Sequence, residues 1–141
     1  MTDSIERHVT VVRTAFEKMQ RGDLDACAEQ LTENFIINLP GLPEPLHGRE
    51  VWKFGVQAMR DGFPDLRITI EDIFGADDRV AVRLHFSGTH TGSFQDVPAT
   101  QRQVAFSSID IYRVEGDKLA EEWVSPDMMG LMRQISDPAH S

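Results

Sequence analysis

The chain has 141 residues, a formal net charge of −9 and a pI of about 4.9, with 40% hydrophobic and 26% charged residues. That length suits one domain, residues 1–141, with a core of its own, and the composition is that of a globular protein rather than a disordered chain. The acidic balance repels phosphate backbones and no basic run offsets it, which excludes nucleic acid and anionic membrane surfaces as partners.

The opening stretch, MTDSIERHVT, is polar and acidic where a secretion signal is basic and then apolar. No apolar run approaches the roughly 18 residues of a membrane span, so the expected location is cytoplasmic. Ile5, Val9, Val12, Phe16 and Met19 then recur at steps of three and four. That spacing predicts a helix capped by Asp3 or Ser4 and ended by Gly22. DLDACAEQL repeats the pattern as a shorter helix with Asp23 as its cap. Residues 35–39 read as a short strand, and the Pro–Gly cluster after it, with His47, reads as loop. A third helix runs through REVWKFGVQAMRDGF, with Trp52, Val56 and Met59 on one face and Gly62 and Pro64 as its stop.

Beyond Pro64 the period changes to that of strands. LRITIEDIF alternates, and DRVAVRLHFSGTH puts Val80, Val82, Leu84 and Phe86 on one side and Ala81, Arg83, His85 and Ser87 on the other. QVAFSSIDIYRVEGDKLAEEWV reads as two strands joined by a turn at Glu115-Gly116-Asp117, and DMMGLMRQI as a closing helix. Helices followed by antiparallel strands predict an α+β fold with the helices on one face of a curved sheet. Such a sheet leaves an apolar hollow where a small ligand binds.

Several residues stand out chemically. Val104, Phe106, Ser108, Asp110, Tyr112 and Val114 share one face of their strand, and Asp110 is an acid between Ile109 and Ile111. Strands disfavour Asp, so two readings stand. Asp110 is either a base whose pKa burial has raised toward neutrality, or an acid solvated or paired with Arg83 or Arg113. His90, between Gly88 and Gly92, sits where glycines suggest a bend or bulge. It is either a proton carrier or ligand donor, or an ordinary turn histidine. Asp127 follows Pro126 at the start of the closing helix, where it caps the helix or serves a pocket walled by Trp123. Cys27 lies in a helical pattern as a small buried residue, and His8 and His140 near the termini are discounted. Neither a zinc-ligand spacing nor a nucleophile elbow nor a phosphate loop is present. No cofactor and no metal are expected, and proton transfer by carboxylates and an imidazole is what remains.

The runs FPDLRITIEDIFGADDRVAVRLHFSGTHTGSF and IDIYRVEGDKLAEEWVSPDMMGLMRQI resemble the SnoaL-like polyketide cyclases, also called ester cyclases, of the nuclear transport factor 2-like superfamily. The resemblance spans about residues 8–136 and is densest at Phe63-Pro64-Asp65-Leu66, Gly88-Thr89-His90-Thr91-Gly92 and Glu122-Trp123…Asp127…Gln134. It implies a cone of helices around a curved, mixed sheet, a deep apolar pocket, and a homodimer or higher homo-oligomer. Its founding members close a ring of a polyketide ester by aldol condensation without metal or cofactor. Their key acid follows the position of Trp123, where this chain has Val124. The resemblance matches Asp110 to a pocket position that is His or Asp in relatives, His90 to a pocket histidine, and Asp127 to a further acid.

The resulting expectation is a cofactor-independent acid–base enzyme for a small apolar carbonyl substrate, acting by aldol-type cyclisation or isomerisation. Asp110 is its expected base, with His90 and Asp127 assisting. Trp52, Phe106, Ser108, Tyr112 and Trp123 are expected around the substrate. The alternatives are a binding domain without catalysis, and an epoxide hydrolase using Arg83 or Arg113 beside an Asp.

Overall fold

The computed structural model describes residues 2–136. Its elements are α1 (Thr2–Gln20), α2 (Leu24–Glu29), β1 (Leu31–Asn38), β2 (Leu46–His47), α3 (Arg49–Gly62), β3 (Arg67–Ala76), β4 (Arg79–Thr89), β5 (Gln103–Glu115), β6 (Lys118–Trp123) and α4 (Met128–Ser136). The strands form one six-stranded sheet in the order β2-β1-β6-β5-β4-β3. Only the β1–β6 pairing is parallel; β1–β2, β3–β4, β4–β5 and β5–β6 are antiparallel. The fold is therefore α+β, as expected, with an open mixed sheet. His140 lies outside the described residues.

The α1 stripe predicted from sequence supplies Val12 and Phe16 to the core, with Val9 and Met19 packed against it. Gly22, at φ 80°, ends the helix in a conformation that glycine adopts readily. The Asp23 carboxylate caps α2 by accepting the Ala26 N–H at 3.1 Å. The helix already runs at Thr2, so Ser4 is inside it and not its cap.

Two further expectations are corrected. Residues 31–34 belong to β1, because Leu31 pairs with Leu119 of β6; α2 stops at Glu29. His47 is not loop: it pairs with Ile36 in the short strand β2, although it stays exposed.

The inner face of the sheet and the helices enclose two apolar clusters. The larger joins α1, α2, β1 and Trp52 of α3 to Val80, Val82, Leu84, Tyr112, Val114 and Leu119. The smaller gathers Phe63, Leu66, Phe94, Val104, Phe106, Leu131 and Ile135.

The α4 helix is tied to the edge of β5 that β6, ending at Trp123, leaves unpaired. The Gln134 side chain donates to the Ala105 carbonyl at 2.7 Å and accepts the Ala105 N–H at 2.8 Å, much as a neighbouring strand would. The Asp127 N–H donates to the Ser107 carbonyl at 2.9 Å. These bonds satisfy backbone groups that would otherwise stand open.

The Gly88–Gly92 stretch bends at Gly92, past the end of β4. The β4–β5 register runs unbroken to Thr89↔Gln103. Glycine is needed at 92 for close approach, since a Cβ there would collide with the Asp61 carbonyl oxygen. Asp65 secures the same corner by accepting the Thr89 N–H at 2.7 Å and its hydroxyl at 2.8 Å.

Candidate functional site

Alternation along β5 sends Ser108, Asp110 and Tyr112 inward and Ile109 and Ile111 outward. Asp110 is only 4% exposed. Its Oδ1 accepts the Ser108 hydroxyl at 2.6 Å and the Ser125 N–H at 3.3 Å, and its Oδ2 accepts the Tyr112 hydroxyl at 3.2 Å. Burial raises its pKa, and the Ser108, Ser125 and Tyr112 hydrogen bonds pull the other way by favouring the anion. The arginines weighed as partners are engaged elsewhere. Arg83 meets Glu71 at 3.3 Å and Arg113 meets Glu121 at 3.1 Å. The Asp–Arg pairing that an epoxide hydrolase would use is thus not formed.

A second buried carboxyl lies beside this group. Glu122 of β6 is 6% exposed and stands opposite Tyr112 in the β5–β6 register. No donor among the described residues reaches its carboxyl group. Burial, and then the neighbouring Asp110, push its pKa up to about 8. The same surroundings raise the Tyr112 hydroxyl well above its ordinary value, burial first and Asp110 next.

Glu122 and Tyr112 line a narrow void with Phe16, Met19, Phe35 and Trp52. The void measures about 20 Å³, room for about one water molecule. Asp110 stands behind the Tyr112 hydroxyl and does not line it. Cys27 also lines the void, and burial raises its thiol to about 11, which makes it a packing residue and not a nucleophile.

The other predicted site residues are dispersed. His90 is fully buried at the far end of β4. Thr89 pairs with Gln103, seven positions along β5 from Asp110, which puts His90 about 20 Å from that carboxyl. Its Nδ1 meets the Thr100 hydroxyl at 2.9 Å and the Thr100 N–H at 3.2 Å, and its ring packs on Phe63 at 5.3 Å. Burial holds the imidazole below its usual range, opposed to a smaller extent by the Val97 backbone.

Phe106 stacks on Phe86 at 4.8 Å within the smaller cluster, away from the void. Trp123 pairs with Ile111 and so faces the outer side of the sheet, where Arg79 lies 5.4 Å over its ring. It is not a wall of the inner hollow. Asp127 is exposed and caps α4 by accepting the Gly130 N–H at 2.9 Å. Trp52, Ser108, Asp110 and Tyr112 are brought together; His90, Phe106, Trp123 and Asp127 are not.

Among the described residues no group of three or more His, Cys, Asp or Glu side chains is placed to hold a metal ion. No helix among them is long and apolar enough to cross a membrane.

The family model of the SnoaL-like polyketide cyclase matches residues 9–135. The chain belongs to the SnoaL-like polyketide cyclase family.

Among curated SnoaL-like relatives, the aklanonic acid methyl ester cyclase DauD of Streptomyces sp. (strain C5) is 26% identical over 136 residues, covering 92% of this chain and 82% of its own. DnrD of Streptomyces peucetius, of the same name, is 26% identical over 135 residues, covering 92% and 91%. Among solved structures, a protein of Jannaschia Sp. CCS1 described as a SnoaL-like polyketide cyclase superposes with a TM-score of 0.87 at 23% identity, covering 95% of this chain and 94% of that one. At that identity the likeness establishes the nuclear transport factor 2-like fold alone.

Within this SnoaL-like chain, the position after Trp123 is Val124, a half-buried residue whose N–H bonds the Asn38 carbonyl at 3.3 Å. The buried acids stand instead at 110 and 122. Glu122 escaped sequence reasoning for a definite reason. Glu115↔Lys118 and Val114↔Leu119 close the hairpin, and an even ladder from there would put Glu121 opposite Tyr112. The register shifts by one residue between Arg113 and Val114, so Tyr112 meets Glu122 instead. One such step exchanges the faces of all later side chains. It turns Glu122 inward and Trp123 outward. The one available signal is that Leu119 and Ala120 are consecutive apolar residues, and both are buried.

Proposed function

We propose that this SnoaL-like protein is a cofactor-independent acid–base catalyst. Its substrate is a small apolar carbonyl compound of polyketide type, and its reaction an intramolecular aldol-type ring closure or isomerisation. The reading is carried by Asp110, a carboxylate enclosed in the protein, held by donors and paired with no cation among the described residues. Such a group is a stronger base than an exposed carboxylate and is fixed in direction.

In this reading Asp110 removes a proton from the carbon beside a carbonyl. The C–H electrons become the enolate, the enolate carbon bonds to a second carbonyl carbon, and that carbonyl's π pair moves to its oxygen, which takes up a proton. Folding the substrate so that its own ends meet supplies part of the acceleration. The Tyr112 hydroxyl makes the longer of the two side-chain bonds to Asp110 and is the one that substrate displaces. A void of about 20 Å³ must widen to admit a polyketide, and Met19, with its flexible thioether, is the lining residue most able to yield.

Aklanonic acid methyl ester, after which DauD and DnrD are named, is the first compound to try. Asp110→Asn should lower turnover at least about tenfold while ligand binding survives. Unchanged turnover would remove Asp110 from the mechanism.

A further inference from the structure

We infer that Glu122 is the proton donor of this reaction, delivering its proton to the oxygen of the carbonyl under attack while Asp110 takes one from carbon. The inference rests on the acid–base reading above and assigns a second residue to it. An aldol closure removes one proton from carbon and places one on the acceptor oxygen. A group that is empty at the start and another that is loaded can make both transfers in one step.

The two buried carboxyls differ in the way this division requires. Asp110 accepts hydrogen bonds from Ser108, Tyr112 and the Ser125 N–H, all of which favour its anion. No described donor reaches the Glu122 carboxyl, so nothing but Asp110's charge and an apolar wall acts on it, and both favour the neutral acid. Two carboxyls that share one dry site do not both ionise readily, and opposite surroundings assign them opposite roles.

Position points the same way. Asp110 is screened by Tyr112, whereas Glu122 opens directly into the void that Trp52, Phe16 and Met19 line. The titratable groups facing Glu122 are Asp110 and Tyr112 from β5 and Cys27 from α2. From α1, α3 and β1 the facing residues are Phe16, Trp52 and Phe35, which carry no charge. Cys27, raised to about 11, and Tyr112, raised well above its ordinary value, stay protonated while Glu122 titrates.

After one turnover Asp110 holds the proton taken from carbon and Glu122 has lost one. A proton passing from Asp110 to Glu122, directly or through water, restores the starting state with nothing consumed.

The test uses the full-length protein in D2O with aklanonic acid methyl ester as the probe. Two readouts are followed: exchange of the proton beside the donor carbonyl, which needs only the base, and ring closure, which needs both groups. Glu122→Gln should keep exchange within about twofold and lose ring closure at least about tenfold. Glu122→Asp should regain part of the closure. Closure by the unmodified protein should also decline above a pH of about 8, and that decline should be absent from the residual activity of Glu122→Gln. Retained exchange shows at once that the variant is folded. Ring closure by Glu122→Gln at the unmodified rate would overturn the donor role and leave the Asp110 reading standing. Loss of both readouts in a variant that still melts cooperatively and at no lower temperature would overturn it too, since the residue would then serve the base. Neither exchange nor closure in the unmodified protein would bring down the acid–base reading and the donor role together.

Discussion

Tyr112 and Glu122 face each other across β5 and β6 on the inner side of the sheet, one step out of the register that Glu115 and Lys118 set at the hairpin. The step buries an acid, and stability must then depend on pH. The Glu122 pKa is about 8 in the folded protein against 4.5 for the free group. Between those values the folded state holds a proton that the unfolded chain has released, so stability falls as pH rises across that window. Glu122→Gln keeps the shape of the neutral acid and cannot ionise. It should be more stable than the unmodified protein at pH 8 by on the order of a few kcal/mol, with the difference vanishing below about pH 4.5. Urea denaturation across that range measures it; a gap that does not change with pH would refute the burial of this acid.

Ser108 donates to Asp110 at 2.6 Å, the shortest of that carboxylate's bonds. Ser108→Ala removes the donor that most lowers the Asp110 pKa, leaving burial less opposed. The acid limb of the pH–rate profile should therefore move to higher pH, and stability should drop by about 1–2 kcal/mol. An unmoved acid limb would show that Asp110 is not the group reported by it.

Asp127 and Gly130 form the start of α4, and a Cβ on Gly130 would collide with the Asp127 carboxylate. Asp127→Ala should cost about 1 kcal/mol, the usual value of a lost cap, with turnover nearly unchanged. Gly130→Ala displaces the same cap, so the double variant should be less destabilised than the sum of the singles. A large fall in turnover for Asp127→Ala, with the fold intact, would return this residue to the site.

His90 packs its imidazole against Phe63 with its pKa depressed below 6.5. A depressed histidine contributes stability that is present above 6.5 and lost as pH falls through its folded value. His90→Asn cannot titrate and leaves the opposing Glu122 contribution in place, so on going from about pH 7.5 to about pH 5.5 it should gain stability relative to the unmodified protein. Thermal melts at the two pH values compare the proteins, and equal changes in the two would contradict a neutral, buried imidazole.

Except in β3, where a register shift between Ile70 and Asp72 turns Ile73 inward and Phe74 outward, local chemistry was enough to define α1, α3, the alternating strands β4 and β5, the Gly116-Asp117 turn and the shared face of Ser108, Asp110 and Tyr112. In each of these, side-chain direction follows from a period counted along one segment, and no distant contact alters the count. The resemblance carried by the Phe63–Leu66, Gly88–Gly92 and Glu122–Gln134 stretches likewise lies in the chain itself. Other features depended on pairing between segments. β1 begins early because Leu31 finds Leu119, and β2 exists because His47 finds Ile36. Asp127 is a cap because its carboxylate turns to Gly130, and His90 is remote from Asp110 because the β4–β5 ladder puts them near opposite ends. Glu122 is the sharpest case: one residue inserted into a ladder reverses every face after it. Where that insertion falls is decided by which neighbouring strand must be matched, and a strand read alone holds no record of its neighbours.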